Sequence, residues 1–432
     1  MTSFGETANL EGRALRGDSE AQFQLARLLN AQGRGELARQ WLERAAAAGH
    51  AEATCVLGCL LLDGATARPG IAGAVKVLMR ACALGSATAH RQVAVLMATG
   101  AVPDATWAQA VDHLLSAATL GDAGAIRQLA TIASLIDPDH ETIAPLLLDS
   151  ARRGDGLGAF AVLRRAAGGQ TAAGGTELMG WKAHLEAAAH PLVGQLQIAG
   201  DLLKSTAMPD RHDAPLRADA KSFFAQGFRS VPPKEQLSSQ PNVWRIRGLF
   251  TQEECDYIVG ISRPQMAPSF VFDAATGTRV KSQVRTSSTA SLHPYRQELA
   301  LHAINLRIAE AAGIAPECGE MLSILWYKAG EEFRPHFDFL GQTPTELAEL
   351  GRAGQRVATL LVYLNDAYLG GETVFLTNGL TFKGSIGEAL LFQNVLPDGT
   401  VDRTTRHAGR PVATGNKWLA SKWFRAREYP LV

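Results

Sequence analysis

Met321-Leu322-Ser323-Ile324-Leu325-Trp326-Tyr327, followed closely by Arg334-Pro335-His336-Phe337-Asp338, is the stretch that decides how this chain is read. The first segment is short, apolar and ends in aromatic residues, the pattern of a buried strand. In the second, an extended backbone puts residues i and i+2 on one side, so His336 and Asp338 face the same point while Phe337 turns away. If the fold returns His407 to that point, two imidazoles and one carboxylate meet there. Such a set leaves positions open on a metal and suits non-haem Fe(II) and dioxygen. The spacing alone is compatible with several metals.

Outward from this stretch the chain stays strand-rich. Val243–Arg247, Arg356–Leu364 and Ala389–Phe392 read as strands, with Gly370-Gly371 as a turn between two of them. Helical patterns over Gln252–Ser262 and Arg296–Ala312 intervene. Many short strands with Gly-rich turns predict a closed or double-sheet architecture such as a jelly roll. Lys417 lies in an apolar segment, before Trp418-Leu419-Ala420, where an unpaired ammonium is costly. An anionic ligand would resolve that cost.

The first half has a different period. Gly17-Asp18-Ser19-Glu20-Ala21 recurs as Gly49-His50-Ala51-Glu52-Ala53, Gly85-Ser86-Ala87-Thr88-Ala89 and Gly121-Asp122-Ala123-Gly124-Ala125, then more loosely as Gly154-Asp155-Gly156-Leu157-Gly158. The steps between these glycines run from 32 to 36 residues, a spacing typical of stacked helix pairs. Each Gly ends one helix in a left-handed conformation and the polar residue after it caps the next. Helices are expected at Ala53–Leu62 and Gly73–Leu84 in one unit, and over Leu185–Leu203 beyond the repeats. Pro and Gly then mark a linker at Ser205–Leu216.

The repeated phrase, with Ala-x-x-x-Leu-Gly from Ala53 to Gly58, resembles the Sel1-like branch of the tetratricopeptide superfamily over roughly residues 15–165. A second resemblance begins at Tyr327-Lys328-Ala329-Gly330 and Pro335-His336-Phe337-Asp338. It continues through Arg356–Asn365, Gly370-Gly371-Glu372-Thr373-Val374-Phe375, Gly387–Phe392, His407–Val412 and Gly415–Trp423. These blocks, in this order, resemble the prolyl 4-hydroxylase branch of the Fe(II)/2-oxoglutarate oxygenases.

The two resemblances imply an all-α helical-repeat solenoid (1–167), capping helices and a linker (168–217), and a double-stranded β-helix, or jelly-roll, oxygenase domain with flanking helices (218–432). They imply His336, Asp338 and His407 as metal ligands. Lys417 would pair with the distal carboxylate of 2-oxoglutarate, and Tyr327, Thr359, Tyr363 and Thr373 would line its pocket. Glu320 and Trp423 match positions near a peptide substrate, and Arg285-Thr286-Ser287-Ser288 matches a mobile loop that closes over it, with Gly277 and the polar residues around it giving flexibility there. The implied co-reactants are Fe(II), 2-oxoglutarate and O2, with ascorbate as reductant and succinate and CO2 as products. Three departures bear on the substrate: Phe333 stands where Tyr is common, Arg425 where His is common, and a polar insertion spans Gly341–Gln355.

Composition narrows the remaining classes. Among 432 residues, 42 basic and 42 acidic side chains cancel, so no global field argues for nucleic acid or an anionic membrane. No segment reads as a membrane span or signal peptide. Five cysteines without CxxC spacing fit a reducing, cytoplasmic setting. The solenoid favours a proline-containing protein or peptide substrate, and offers a surface for recruitment or a homodimer. Three alternatives stay open: the same chemistry on a free amino acid or small molecule, a non-catalytic repeat scaffold, and a zinc hydrolase. The last lacks a placed general base and leaves Lys417 unexplained.

Overall fold

The computed structural model describes residues 4–64, 70–170, 173–190, 192–200, 220–272, 279–281, 284–341 and 343–429. The Ser205–Leu216 linker, the 217/218 boundary and Gly277 lie outside the described residues.

In the first half, helices succeed one another from Phe4–Leu15 to Gly175–Ala187. Each repeated phrase is a helix junction. Gly17, Gly49, Gly85, Gly121 and Gly154 all adopt φ between 86° and 92°, where a side chain would be strained. The next residue in every copy (Asp18, His50, Ser86, Asp122, Asp155) accepts a hydrogen bond from the backbone N–H three residues on. The small residue there is buried because neighbouring helices approach closely. Ala53, Ala89 and Ala125 are fully buried, and at Gly158 an added Cβ would lie 2.6 Å from Ser150 Oγ. The unit read at Ala53–Leu62 and Gly73–Leu84 forms helices Ala51–Leu62 and Gly70–Ala83. Among the described residues, no continuous helix runs over the stretch read as Leu185–Leu203, whose last three residues lie outside the described residues. Its first residues end the helix Gly175–Ala187, and Ala189 turns left-handed (φ 50°) just before Pro191, which cannot continue a helix.

The second half is a jelly roll of two facing antiparallel sheets. In the larger sheet, Asn242–Ile246, Ala389–Gln393, Arg356–Tyr363, Val412–Arg425, Leu322–Lys328 and Ser288–Leu292 lie in that spatial order. The smaller sheet runs Thr381–Phe382, Thr373–Phe375, His407–Gly409, Phe333–His336. The polar insertion Gly341–Gln355 contains a helix, Pro344–Ala353. Thr343 and Glu346 close a reciprocal capping box at its start.

The helical array and the jelly roll share one apolar core, continuous from Ala94 to Phe424 through helices Gln252–Ser262 and Leu299–Ala312. Leu157 of the fifth repeat packs onto Gly260, where a Cβ would lie 2.5 Å from its Cδ2. Arg127 makes paired hydrogen bonds to Glu298 (2.7 and 2.8 Å) and another to Asp155 (2.9 Å). Tyr257 donates to Glu298 at 2.7 Å. Nearby, Glu254 accepts from Ser134 at 2.8 Å and pairs with Arg229. Arg127→Ala would strand the Glu298 carboxylate. It is expected to cost about 3 kcal/mol, the lower end for a broken buried pair because Glu298 retains some solvent access. Urea denaturation against wild type checks this.

Candidate active site

The smaller sheet brings His336 and His407 together. They are directly opposed across adjacent strands, with ring centroids 4.3 Å apart. Asp338 completes the group. Its Oδ1 lies 3.6 Å from His336 Nε2 and its Oδ2 3.8 Å from His407 Nε2. Each imidazole is oriented by its other nitrogen: His336 Nδ1 lies 2.8 Å from the Arg334 carbonyl, and His407 Nδ1 2.9 Å from that of Thr405. A carbonyl only accepts, so both Nδ1 atoms carry the proton and both Nε2 lone pairs face Asp338. Thr359 Oγ1 donates to Asp338 Oδ2 at 2.8 Å and itself accepts from Asn394 Nδ2 at 3.0 Å.

The electrostatics match this geometry. Burial, with His407 beside it, lowers His336 to about 4, so its ring is neutral at neutral pH. Burial opposes ionisation of Asp338, but the two histidines and the Thr359 hydroxyl outweigh it and hold the carboxyl below its ordinary range. The described residues therefore present two imidazoles and a carboxylate, all within 4.8 Å of one another, a donor set that fits one divalent ion with positions to spare.

A small cavity opens beside the triad, between the two sheets. Its lining includes Tyr327, Phe333, Thr373, Lys417 and Trp423 with the three triad residues. Lys417 opposes Tyr327 across strands Val412–Arg425 and Leu322–Lys328. Its ammonium donates to the Gly371 carbonyl at 2.7 Å and lies 5.2 Å from the Tyr363 ring centroid. Gly371 must be glycine: its φ is +70°, and a Cβ would come within 3.2 Å of Lys417 Cδ, Tyr368 and Val412. Burial lowers Lys417 to about 7 and pushes Tyr327 up to about 12.

Thr359 and Tyr363 stand behind the lining. Thr359 acts on Asp338, and Tyr363, fully buried, shares a 2.8 Å hydrogen bond with Thr373. Arg285 reaches the rim, bridged to Phe333, with its guanidinium 5.5 Å from that ring. Trp423 lines the cavity, and its buried indole N–H has no hydrogen-bond partner among the described residues. Glu320 lies outside the cavity, gripped by Arg356 at 2.7 and 2.8 Å and by Arg425 at 3.1 Å.

Sequence reasoning missed several participants. Leu361, Leu419 and Ser421 line the cavity because they alternate with Thr359, Lys417 and Trp423 on the same strand faces. Period-two counting outward from Lys417 on one strand and Thr359 on the other would have found them. Arg356 had no such signal. It stacks on Trp423 at 4.0 Å, and it also reaches the Asp338 carbonyl at 3.3 Å. Asn394 comes from the loop after Ala389–Gln393 and is fully buried, a placement no local pattern announces.

Comparison with known proteins agrees with this geometry. Residues 322–425, the segment that carries the triad and Lys417, match the 2OG-Fe(II) oxygenase superfamily. Probable prolyl 4-hydroxylase 3 of Arabidopsis thaliana is 37% identical over 235 residues, covering 50% of this chain and 80% of that protein. Among solved structures, the viral collagen prolyl hydroxylase of Paramecium Bursaria Chlorella virus-1 is 24% identical, covering 43% of this chain and 96% of that one with a TM-score of 0.34. A Sel1 repeat protein from Oxalobacter formigenes is 22% identical, covering 42% and 78%, with a TM-score of 0.36. These low scores leave the fold to the helix junctions and strand order described above. The identity to the plant enzyme, extending over four-fifths of its length, goes further: the chain belongs to the prolyl 4-hydroxylase family of Fe(II)- and 2-oxoglutarate-dependent dioxygenases.

Proposed function

We propose that this enzyme hydroxylates a prolyl residue of a protein or peptide substrate that its helical repeats help to recruit. The convergence of His336, Asp338, His407 and Lys417 on one cavity between the sheets carries the reading. When bound, Fe(II), 2-oxoglutarate and O2 supply oxidative decarboxylation to succinate and CO2 coupled to oxygen insertion into a C–H bond, with ascorbate as the reductant.

The chain's own residues do the positioning. His336, Asp338 and His407 hold the metal, with the Arg334 and Thr405 carbonyls and the Thr359 hydroxyl fixing their orientation. Lys417 would hold the distal carboxylate of 2-oxoglutarate, beside the Tyr327 ring. Leu325, Leu361 and Leu419 add an apolar lining that excludes water. Arg285 and Trp423 face the substrate, Trp423 as part of the cavity lining. Glu320 contributes indirectly, by bracing the Arg356 guanidinium that stacks on Trp423.

Residues 1–167 and 218–432 serve as the recruiting and catalytic units. The shared core holds the repeat array in a fixed attitude toward the oxygenase, as a docking surface requires. The five free thiols support a reducing, cytoplasmic setting. The test is mass spectrometry of lysate treated with the purified Fe(II)-loaded enzyme, with and without 2-oxoglutarate. The expected result is a 2-oxoglutarate-dependent gain of one oxygen on prolyl residues within proteins. A gain confined to free amino acids or other small metabolites would reject the protein-substrate reading.

A further inference from the structure

We propose that Cys82, His90 and His113 form a second metal site, one that takes a Zn(II)-class ion and clips together three successive helices of the repeat array. Cys82 ends helix Gly70–Ala83, His90 lies in Ala87–Ala98, and His113 in Trp107–Thr119. The two imidazoles point their Nδ1 atoms at each other across 3.0 Å, with ring centroids 4.9 Å apart and planes inclined by 41°. Two nitrogens at that distance share a single proton, and a metal ion can replace it.

The Cys82 sulfur joins them, and all three ligand atoms lie within 4.8 Å of one another. A tetrahedral Zn(II), with N at about 2.0–2.1 Å and S at about 2.3 Å, separates its ligands by about 3.3–3.6 Å. Side-chain torsions cover the difference. Burial depresses both histidines, so their lone pairs are available at neutral pH. It also pushes the Cys82 thiol up to about 11, so binding releases the thiol proton to solvent and leaves a thiolate on the ion.

Thiolate and imidazole select a softer ion than the triad, whose third ligand is a carboxylate. Cys82 is 9% exposed and both histidines are half-buried, so an aquated ion can reach the set. The clip also bears on the oxygenase half. Gln92, two residues past His90, donates to the Tyr295 carbonyl at 2.6 Å, so fixing this helix steadies the contact between repeats and jelly roll.

Co(II) titration of the full chain tests the proposal, because a thiolate-to-cobalt charge-transfer band reports only a site containing sulfur. Wild type is expected to bind two equivalents, one of them with that band. Cys82→Ser is expected to lose the band and one equivalent while keeping 2-oxoglutarate binding at the triad. His113→Gln is expected to weaken the band-forming equivalent at least about tenfold, and it serves as the independent check should Cys82→Ser fold poorly. Absence of the band in wild type at cobalt saturating the triad overturns the proposal. So does a band unchanged in both variants.

Discussion

Asp338→Ala is expected to abolish 2-oxoglutarate turnover, and His336→Ala to do the same. Asp338 is the one anionic member of the proposed ligand set, and both Nε2 lone pairs are aimed at it. Its removal leaves two imidazoles and no anionic ligand facing a dication. Loss of an outer partner typically costs 10–100-fold in metal affinity, so loss of the carboxylate itself is expected to exceed about 100-fold. Thr359→Val supplies the graded comparison. It keeps the shape but deletes the hydroxyl that donates to Asp338 and accepts from Asn394, and should fall in that 10–100-fold range. Succinate release and Fe(II) affinity, measured together, check the series. Wild-type-like turnover in Asp338→Ala would sink the metal assignment.

Lys417→Ala is expected to weaken 2-oxoglutarate binding by more than about 100-fold while leaving metal affinity nearly unchanged. The substitution leaves a carboxylate buried without its cation, a loss of about 3–5 kcal/mol. Calorimetry with Mn(II) as a redox-silent stand-in separates the two affinities. The same residue predicts a pH signature. Lys417 sits at about 7 against an ordinary 10.5, so between those values the unfolded chain binds more protons and this group's contribution to stability rises with pH. A bound carboxylate raises Lys417 again. At pH 8, binding of 2-oxoglutarate should therefore take up close to one proton, seen as buffer-dependent heat, and the uptake should vanish in Lys417→Ala. Equal heats in all buffers for wild type would remove Lys417 from the site.

The parts of this fold that were legible in sequence are those set by local rules. A left-handed Gly followed by a capping side chain is a nearest-neighbour requirement, so all five junctions could be read from five residues each. The i/i+2 spacing likewise put His336 and Asp338 on one side, and a lone cation in an apolar segment marked Lys417, whereas Tyr327 was reached only through the resemblance. What stayed hidden was tertiary. Arg425 and the polar insertion read as two unrelated departures, yet the Arg425 guanidinium binds the Glu349 carbonyl at 2.6 Å and so anchors the insertion's helix to the last strand. Glu320 was matched to a position near the substrate by resemblance alone. Only packing showed it held by two arginines. The Leu185–Leu203 reading ran past Ala189, whose left-handed φ of 50° no local pattern announces.

The common core between array and jelly roll also limits how this enzyme can be re-aimed. In a bead-on-string architecture, a recruiting module is a cassette, exchanged at its linker. Here the seam runs through Leu157 on Gly260 and Arg127 on Glu298, so a foreign array grafted at the linker would meet an unmatched greasy face and an orphaned acid. A working chimera must carry helices Gln252–Ser262 and Leu299–Ala312 along with the repeats they fit, which makes the inheritable unit of specificity larger than the repeat array itself.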